Sequence, residues 1–341
     1  MNEKILTLCT SAYNAEKYIS RMIDSVVKAC NSNLLQLVIV NDGSTDKTQD
    51  IIKEYVLQYP EIINSVETKN GGSGAGRNKA FSLARGKYIG LLDADDYVRT
   101  EYLDAFIEFL RNIDADVIYN NFYKYYISTG KYEYINHVDA DNFKEKTLSF
   151  CNNHPIFMKN DRQEMQGTVY KNELFISNKF ELTEGISYVD AEFITIPYKW
   201  IKSYAVADFP YYVYCIGVPG QSVAQDVSIK KNAQRKKLID KLLSDYSMNE
   251  KEEFPQSIKE RVEKNIANLY MDYINNYLYT CDYKYREIVL EEIESMRMSY
   301  PSIYVRTSVG GRMKSVNRFG NIGYTLCMIY GTIKKIIKGQ V

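Results

Sequence analysis

The sequence predicts an α/β protein with a mostly parallel, Rossmann-like sheet and flanking helices, followed by a helical C-terminal extension. Three observations predict it. Short apolar runs alternate with helix-period segments through residues 5–100, several of those runs are apolar on both faces, and after Pro219 the sequence turns charged and helix-patterned.

The elements follow in order. Ile5–Thr10 (ILTLCT) reads as a first strand, and Glu16–Cys30 carries Ile19, Met22, Ile23, Val26 and Val27 at helical spacing. Leu34–Val40 is nearly all apolar, as a strand buried on both faces must be. The turn residues NDGSTD then start a helix over Lys47–Tyr59, stopped by Pro60. Ile63–Thr68 is a third strand, Gly76–Arg85 a helix and Tyr88–Leu92 a fourth strand, so the order β-α-β-α-β-α-β implies parallel strands with right-handed crossovers. Glu101–Asn112 is helical and Val117–Phe122 extended, whereas Tyr123–Asn153 alternates polar and aromatic residues without a clear order. Structure resumes at Thr168–Phe175 and Ile186–Pro197, the latter helical near Asp190, and Tyr211–Ile216 is a strand. Helices are expected at Ser228–Asp245, Ser257–Thr280 and Tyr285–Met298. A boundary near residue 225 gives a first domain of residues 1–225, with halves 1–100 and 101–225, and a helical region 226–341.

Bulk composition excludes several classes. The 341 residues carry 43 Lys plus Arg and 43 Asp plus Glu, so no overall field favours nucleic acid. Six scattered cysteines form no CxxC pair, which points to free thiols in a reducing cytosol. No secretory signal is expected at the N-terminus, and no run of about 18 apolar residues spans a bilayer, so a cytoplasmic protein is expected. The 31 tyrosines suit sugar or interface contacts, although core packing is the commoner use.

The chemistry gathers at strand ends. Tyr88–Tyr97 reads YIGLLDADDY: Asp93 and Asp95, with Ala94 between them, can turn two carboxylates toward one divalent ion where the chain leaves the sheet. Mn²⁺ and Mg²⁺ favour such hard oxygen ligands and leave the rest of the shell to a phosphorylated ligand. Asp-Ala-Asp recurs at Asp114–Asp116 and Asp139–Asp141, but only the first copy follows an apolar strand, and the others read as solvated loop acids. The first three strands end in Thr10-Ser11-Ala12-Tyr13-Asn14, in Asn41-Asp42-Gly43-Ser44 and in the run from Asn70 through Gly71 and Gly72 to Arg77 and Asn78. If the ligand is a nucleoside diphosphate, Tyr13 and Asp42 can frame a base, with the carboxylate accepting from a ring N–H such as that of uracil. The glycines let backbone approach phosphate ahead of a helix N-terminus, and Arg77 adds a charged fork. The plainer readings are packing for Tyr13, a turn and helix cap for NDGS and a flexible loop for the glycines. A Walker A loop is ruled out because Arg77-Asn78 follow Gly76, and a dinucleotide fingerprint because Lys79 stands where its third glycine belongs.

Together, TxxYN at Thr10–Asn14, VNDGSTD at Val40–Asp46, NGGxxxGRN at Asn70–Asn78 and LDADD at Leu92–Asp96 resemble the family 2 glycosyltransferases, inverting enzymes of GT-A fold that build bacterial surface polysaccharides. The resemblance covers residues 4–100. It implies a GT-A fold, a donor site of Thr10, Tyr13, Asn14, Asp42, Asn70, Gly71, Gly72, Arg77, Asp93, Ala94 and Asp95, and a divalent metal, Mn²⁺ or Mg²⁺, on Asp93 and Asp95. Gly76 stands where an alanine commonly precedes the arginine, an exchange expected to matter little. Glu184–Phe193 resembles the family segment ENIxYEDxxF, which places Asp190 as general base with Glu192 as its rival; Val189 stands where an acid is usual. Tyr211–Tyr214 and Gly220–Ser222 look like the closing strand and mobile loop, with Cys215 where a basic residue often stands.

The implied activity is inverting transfer from a nucleotide-diphosphate sugar, UDP-linked, to a hydroxyl of a growing surface glycan or lipid-linked acceptor. A sugar nucleotidyltransferase would need a GxGTR-like loop after the first strand, where TSAYN stands. A catalytically inactive GT-A-fold binding or assembly subunit of a glycan-synthesis complex is the alternative, and the intact acids and Arg77 speak against it.

Near the C-terminus, the uncharged run Phe319–Ile333 lies between Arg312, Lys314 and Arg318 and Lys334, Lys335 and Lys338. Ile322, Leu326, Ile329, Ile333, Ile336 and Ile337 recur at helical spacing. Two readings stay open: a basic amphipathic helix on an anionic membrane, at the inner face of the plasma membrane, or packing on the catalytic domain or on a second copy as a homo-oligomer.

Overall fold

A computed structural model describes residues 4–29, 31–139, 147–149, 162–218, 229–249, 254–307 and 311–337. The chain forms two compact units, Met1–Pro219 with Pro255–Ile258, and Gly220–Phe254 with Lys259–Val341.

The first unit is built on the expected parallel strands. β1 (Leu6–Ala12) and β2 (Leu35–Asp42) are buried along almost their whole length, which is why their apolar runs are continuous rather than alternating. β3 (Ile63–Thr68) and β4 (Tyr88–Leu91) flank them, with Leu6 opposite both Leu35 and Tyr88 and Asp42 opposite Thr68. That register sets the carboxyl ends of all four strands side by side. Between them run α1 (Ile19–Val27), which buries Ile19, Met22, Ile23, Val26 and Val27 as their spacing predicts, then α2 (Thr48–Gln58) and α3 (Gly72–Leu83).

The sheet is longer and more mixed than its first four strands. Its order is β3-β2-β1-β4-β10-β6-β11-β9, where β6 is Val117–Asn120, β9 Thr147–Ser149, β10 Thr168–Lys171 and β11 Ser203–Ala207. β10 enters antiparallel between β4 and β6, and β9 pairs antiparallel with β11. A second, four-stranded sheet has the order β5-β12-β7-β8: β5 is Tyr97–Val98, β7 Phe122–Tyr126, β8 Lys131–Ile135 and β12 Tyr212–Ile216. The predicted strand Val117–Phe122 is therefore two strands in two sheets, divided at Asn121. The stretch after Tyr123 that showed no order opens as a hairpin with Tyr123 opposite Tyr134 and Tyr125 opposite Tyr132. Cross-strand aromatic pairs stabilise it. The predicted strand Thr168–Phe175 likewise gives way after Lys171 to a short helix, α5 (Asn172–Ser177). β11 had no clear mark in the sequence. α4 (Thr100–Asn112) and α6 (Asp190–Thr195) complete the unit.

Several tyrosines are core residues: Tyr88, Tyr119, Tyr170, Tyr198, Tyr204, Tyr211 and Tyr212 are among the largest fully buried side chains of this unit. Cys9, Cys215, Cys281 and Cys327 are free thiols; Cys30 and Cys151 lie outside the described residues.

The second unit is helical: α7 (Asn232–Asn249), α8 (Gln256–Thr280, whose first turn belongs to the first unit), α9 (Arg286–Ser299), α10 (Pro301–Arg306) and α11 (Gly311–Ile337). The run Phe319–Ile333 does not stand as one helix, because α11 is broken at Gly320 (φ 52, ψ −124).

Candidate active site

Three loops at the ends of β1 to β3 are tied to one another before any ligand enters. Asn14, held at φ 48, donates its backbone N–H to Ser44 Oγ at 3.0 Å and accepts from Thr45 N at 2.9 Å. Asp42 is buried, and its Oδ1 accepts from Gly71 N at 2.8 Å, which joins the second loop to the glycine turn. Thr10 lies buried in β1, whereas Tyr13 and Asn70 are exposed on the surface beyond their strands.

The glycine turn is not a flexible loop. α3 begins at Gly72, not Gly76, so the glycines form its first turn, with Gly72 at φ 81. Glycine is costly inside a helix, but close packing demands it here: a Cβ on Gly76 would lie 2.1 Å from Ser11 Oγ and 2.8 Å from Ser11 Cβ. An alanine at Gly76 is therefore sterically opposed in this chain, since Ser11 fills the space.

The helix carries Arg77 to the acids. Arg77 is buried, and its Nη2 pairs with Asp93 Oδ1 at 2.7 Å. Burial opposes the guanidinium charge, yet Asp93 and then Asp190 outweigh it and hold Arg77 above its ordinary value. Asp93, Asp95 and Asp96 each bring a carboxylate oxygen within 4.8 Å of the others. Their environments differ. Asp93 and Asp95 are partly exposed, while Asp96 is buried and accepts from Tyr212 Oη at 2.6 Å and from Cys215 N at 2.8 Å. The same tyrosine hydroxyl accepts from Asp93 N at 3.2 Å. Burial, followed by Asp95 and Asp93, raises the Asp96 carboxyl well above the usual range. Burial and Asp96 likewise raise the Tyr212 phenol and keep it a donor.

This cluster fits a divalent cation. Two partly exposed carboxylates offer hard oxygen ligands, and crowding of like charges is relieved when a cation joins them. Asp96, Tyr212 and Arg21, which donates to Asp95 O at 2.6 Å and lies 4.8 Å from the Tyr97 ring centroid, are site residues that the sequence reading did not assign. Asp96 was visible in the LDADD run and Tyr212 in the Tyr211–Tyr214 strand, neither with a role assigned, whereas Arg21 carried no local mark. Cys215, in place of a basic residue, supplies a backbone donor to Asp96, and its Sγ accepts from Arg21 Nη2 at 3.2 Å.

The segment before α6 docks on the glycine turn, where Gly185 N donates to Gly71 O at 2.9 Å. Val189 is buried and Asp190 exposed at the start of α6. Asp190 acts electrostatically on both Arg77 and Tyr214. Its rival Glu192 is fully buried, accepting from Thr183 N and Thr183 Oγ1, each at 2.7 Å. In the second Asp-Ala-Asp copy Asp114 is exposed as expected and pairs at the surface with Lys171 at 3.0 Å, whereas Asp116 is half-buried and its Oδ2 accepts from Lys202 N and Ser203 N at 2.7 and 3.0 Å. Asp141 and Gly220–Ser222 lie outside the described residues.

A parallel sheet whose adjoining strand ends carry an acid cluster, a buried arginine and a glycine-opened helix defines a protein of the GT-A class. More narrowly, the chain belongs to the glycosyl transferase family 2, whose model matches residues 7–181, just over half of it. It is similar to the glycosyltransferase GlyA of Streptococcus pneumoniae, 29% identical over 186 residues that cover 52% of this chain and 26% of GlyA. It is also similar to the minor teichoic acid biosynthesis protein GgaB of Bacillus subtilis, 27% identical over 270 residues that cover 75% of this chain and 28% of GgaB. The chain thus spans about a quarter of the length of either relative. The crystal structure of residues 1–349 of S. aureus TarS with UDP-GlcNAc superposes with a TM-score of 0.66 at 17% identity over 98% of this chain and 92% of that one, a likeness of fold.

Proposed function

We propose that the chain is an inverting glycosyltransferase that moves a sugar from a UDP-sugar to a hydroxyl of a surface glycan or lipid-linked acceptor. The observation that carries this reading is the meeting of Asp93, Asp95 and Arg77 at the opening of α3, with Asp190 exposed close by. UDP as the nucleotide is supported by the UDP-GlcNAc bound to the TarS structure, and a surface glycan by the role in GgaB's name.

The residues divide the work. Tyr13 and the buried Asp42 frame the base; Asp42 spends one oxygen on Gly71 N and keeps lone pairs for a ring N–H. The N-terminus of α3 and Arg77 face the diphosphate, whose charge grows as the glycosidic bond breaks. Asp93 and Asp95 would hold Mn²⁺ or Mg²⁺, which when bound supplies Lewis-acid stabilisation of the departing diphosphate. Asp190 takes the proton of the acceptor hydroxyl as that oxygen attacks the anomeric carbon. One displacement inverts that centre. Asp96 and Tyr212 position the acids: the tyrosine hydroxyl fixes Asp93 by its backbone and Asp96 by its carboxylate.

The deciding experiment incubates the purified protein with Mn²⁺ and a panel of nucleotide sugars and follows donor hydrolysis and transfer. Turnover of one UDP-sugar that disappears in chelator is expected. Nucleotide binding without turnover of any donor would instead make the chain the inactive binding subunit.

A further inference from the structure

The outward face of α11 is apolar where water calls for polar side chains. At Gly320 the chain turns back, and a Cβ on Gly323 would lie 2.0 Å from Ser315 O, so the two halves of α11 pack closely. Cys327 Sγ donates to Arg312 O at 3.3 Å across the same contact, and Tyr324, Cys327 and Met328 are buried. The opposite face carries Ile322, Leu326, Ile329 and Ile333, from 50% exposed at Ile333 to 68% at Ile322, with Phe319 and Tyr330 exposed beside them. A surface helix of a soluble domain is normally polar on that side, and a contiguous apolar patch marks an interaction surface.

Charge identifies the occupant. α11 contains no acidic residue but carries Arg312, Lys314, Arg318, Lys334 and Lys335, of which Lys314 and Arg318 are exposed, while Arg297 and Arg306 before it are already paired with Glu294 and Glu263. We propose that the outer face of α11 lies in the headgroup region of an anionic lipid bilayer, with the isoleucines and leucine at the acyl boundary and Lys314 and Arg318 against lipid phosphates. The contact is peripheral, since among the described residues no helix is long and apolar enough to cross a membrane. A second copy of the chain fits less well. A twofold contact through this stripe would bring the cationic side chains of two copies of α11 together, and α11 itself supplies no carboxylate to offset them.

The full chain is sedimented with vesicles of phosphatidylglycerol and phosphatidylcholine, and with phosphatidylcholine alone. Partition into the anionic vesicles is expected, weakened about tenfold or more by Leu326→Asp with Ile329→Asp, and likewise by Lys314→Glu with Arg318→Glu or by about 1 M salt. All four side chains are exposed, so circular dichroism and thermal melting should match the native chain. Absence of native partition into anionic vesicles overturns the proposal, as does partition that ignores both double substitutions. A change of native mass in the Leu326→Asp, Ile329→Asp variant, without vesicle binding by the native chain, assigns the face to protein and overturns it too.

Discussion

Asp190 and Glu192 are two residues apart and both acidic, yet their surroundings suit opposite tasks. A general base must reach a substrate proton, and only Asp190 is exposed to do so. Asp190→Asn is expected to lower kcat by about 10²- to 10⁴-fold with donor affinity unchanged, read by steady-state kinetics and a UDP titration. Glu192→Gln should lose stability instead, about 1–3 kcal/mol in a denaturant melt, because an amide cannot serve both Thr183 donors as the carboxylate does. A crippled Glu192→Gln beside a near-normal Asp190→Asn would exchange their roles. Asp95→Ala should abolish transfer and the metal-dependent part of UDP binding. Asp116→Ala should leave that binding intact but lower Tm, since Asp116 clasps the backbone at Lys202 and Ser203.

Helix starts decide where the loops sit. The opening of α2 is held by Asp46, whose carboxylate accepts from Thr48 N and Glu16 N at 3.0 and 3.1 Å. Burial alone would raise the Asp46 pKa, but the bonds from Thr48 and Glu16 prevail and lower it. A carboxyl lowered in the folded state adds stability that is present above its unfolded value of about 3.9 and is lost as pH falls through the folded value. Asp46→Ala should therefore cost about 1 kcal/mol near neutral pH, with the gap to the native chain closing below about pH 4 in parallel melts. At α3 the constraint is steric. Gly76→Ala must displace Ser11 and with it the end of β1, so a lower Tm together with weaker UDP binding is expected. Unchanged melting would mean that β1 yields freely.

For the whole molecule the donor site is also a stability term, since a ligand that binds only the folded chain stabilises it by mass action. At about one hundred times its Kd the gain is about 2.7 kcal/mol, enough to move Tm by a few degrees. UDP with Mn²⁺ should give that shift in scanning fluorimetry, UDP in chelator a smaller one, and Asp95→Ala no difference between the two. Equal shifts with and without metal in the native chain would remove the cation from the donor site.

Much of this was legible in the residues alone. The runs of β1, β2 and β4 are apolar because both faces are covered, and the stripe of α1 repeats at the helical period, so local pattern and global fold agree there. The acids of LDADD announced themselves by ending a strand. Other features depend on partners far along the chain. Tyr212 meets Asp96 across 116 positions, β10 slips antiparallel between β4 and β6, and Gly74 and Gly76 are helical against their own propensity because Thr183 and Ser11 leave no room for a side chain. A period of 3.6 marks a stripe as apolar without saying what covers it. In α11 the reversal at Gly320 turned Tyr324 and Met328 inward and left Ile322 and Leu326 facing out, because a helix pressed against its own first half can bury only one side.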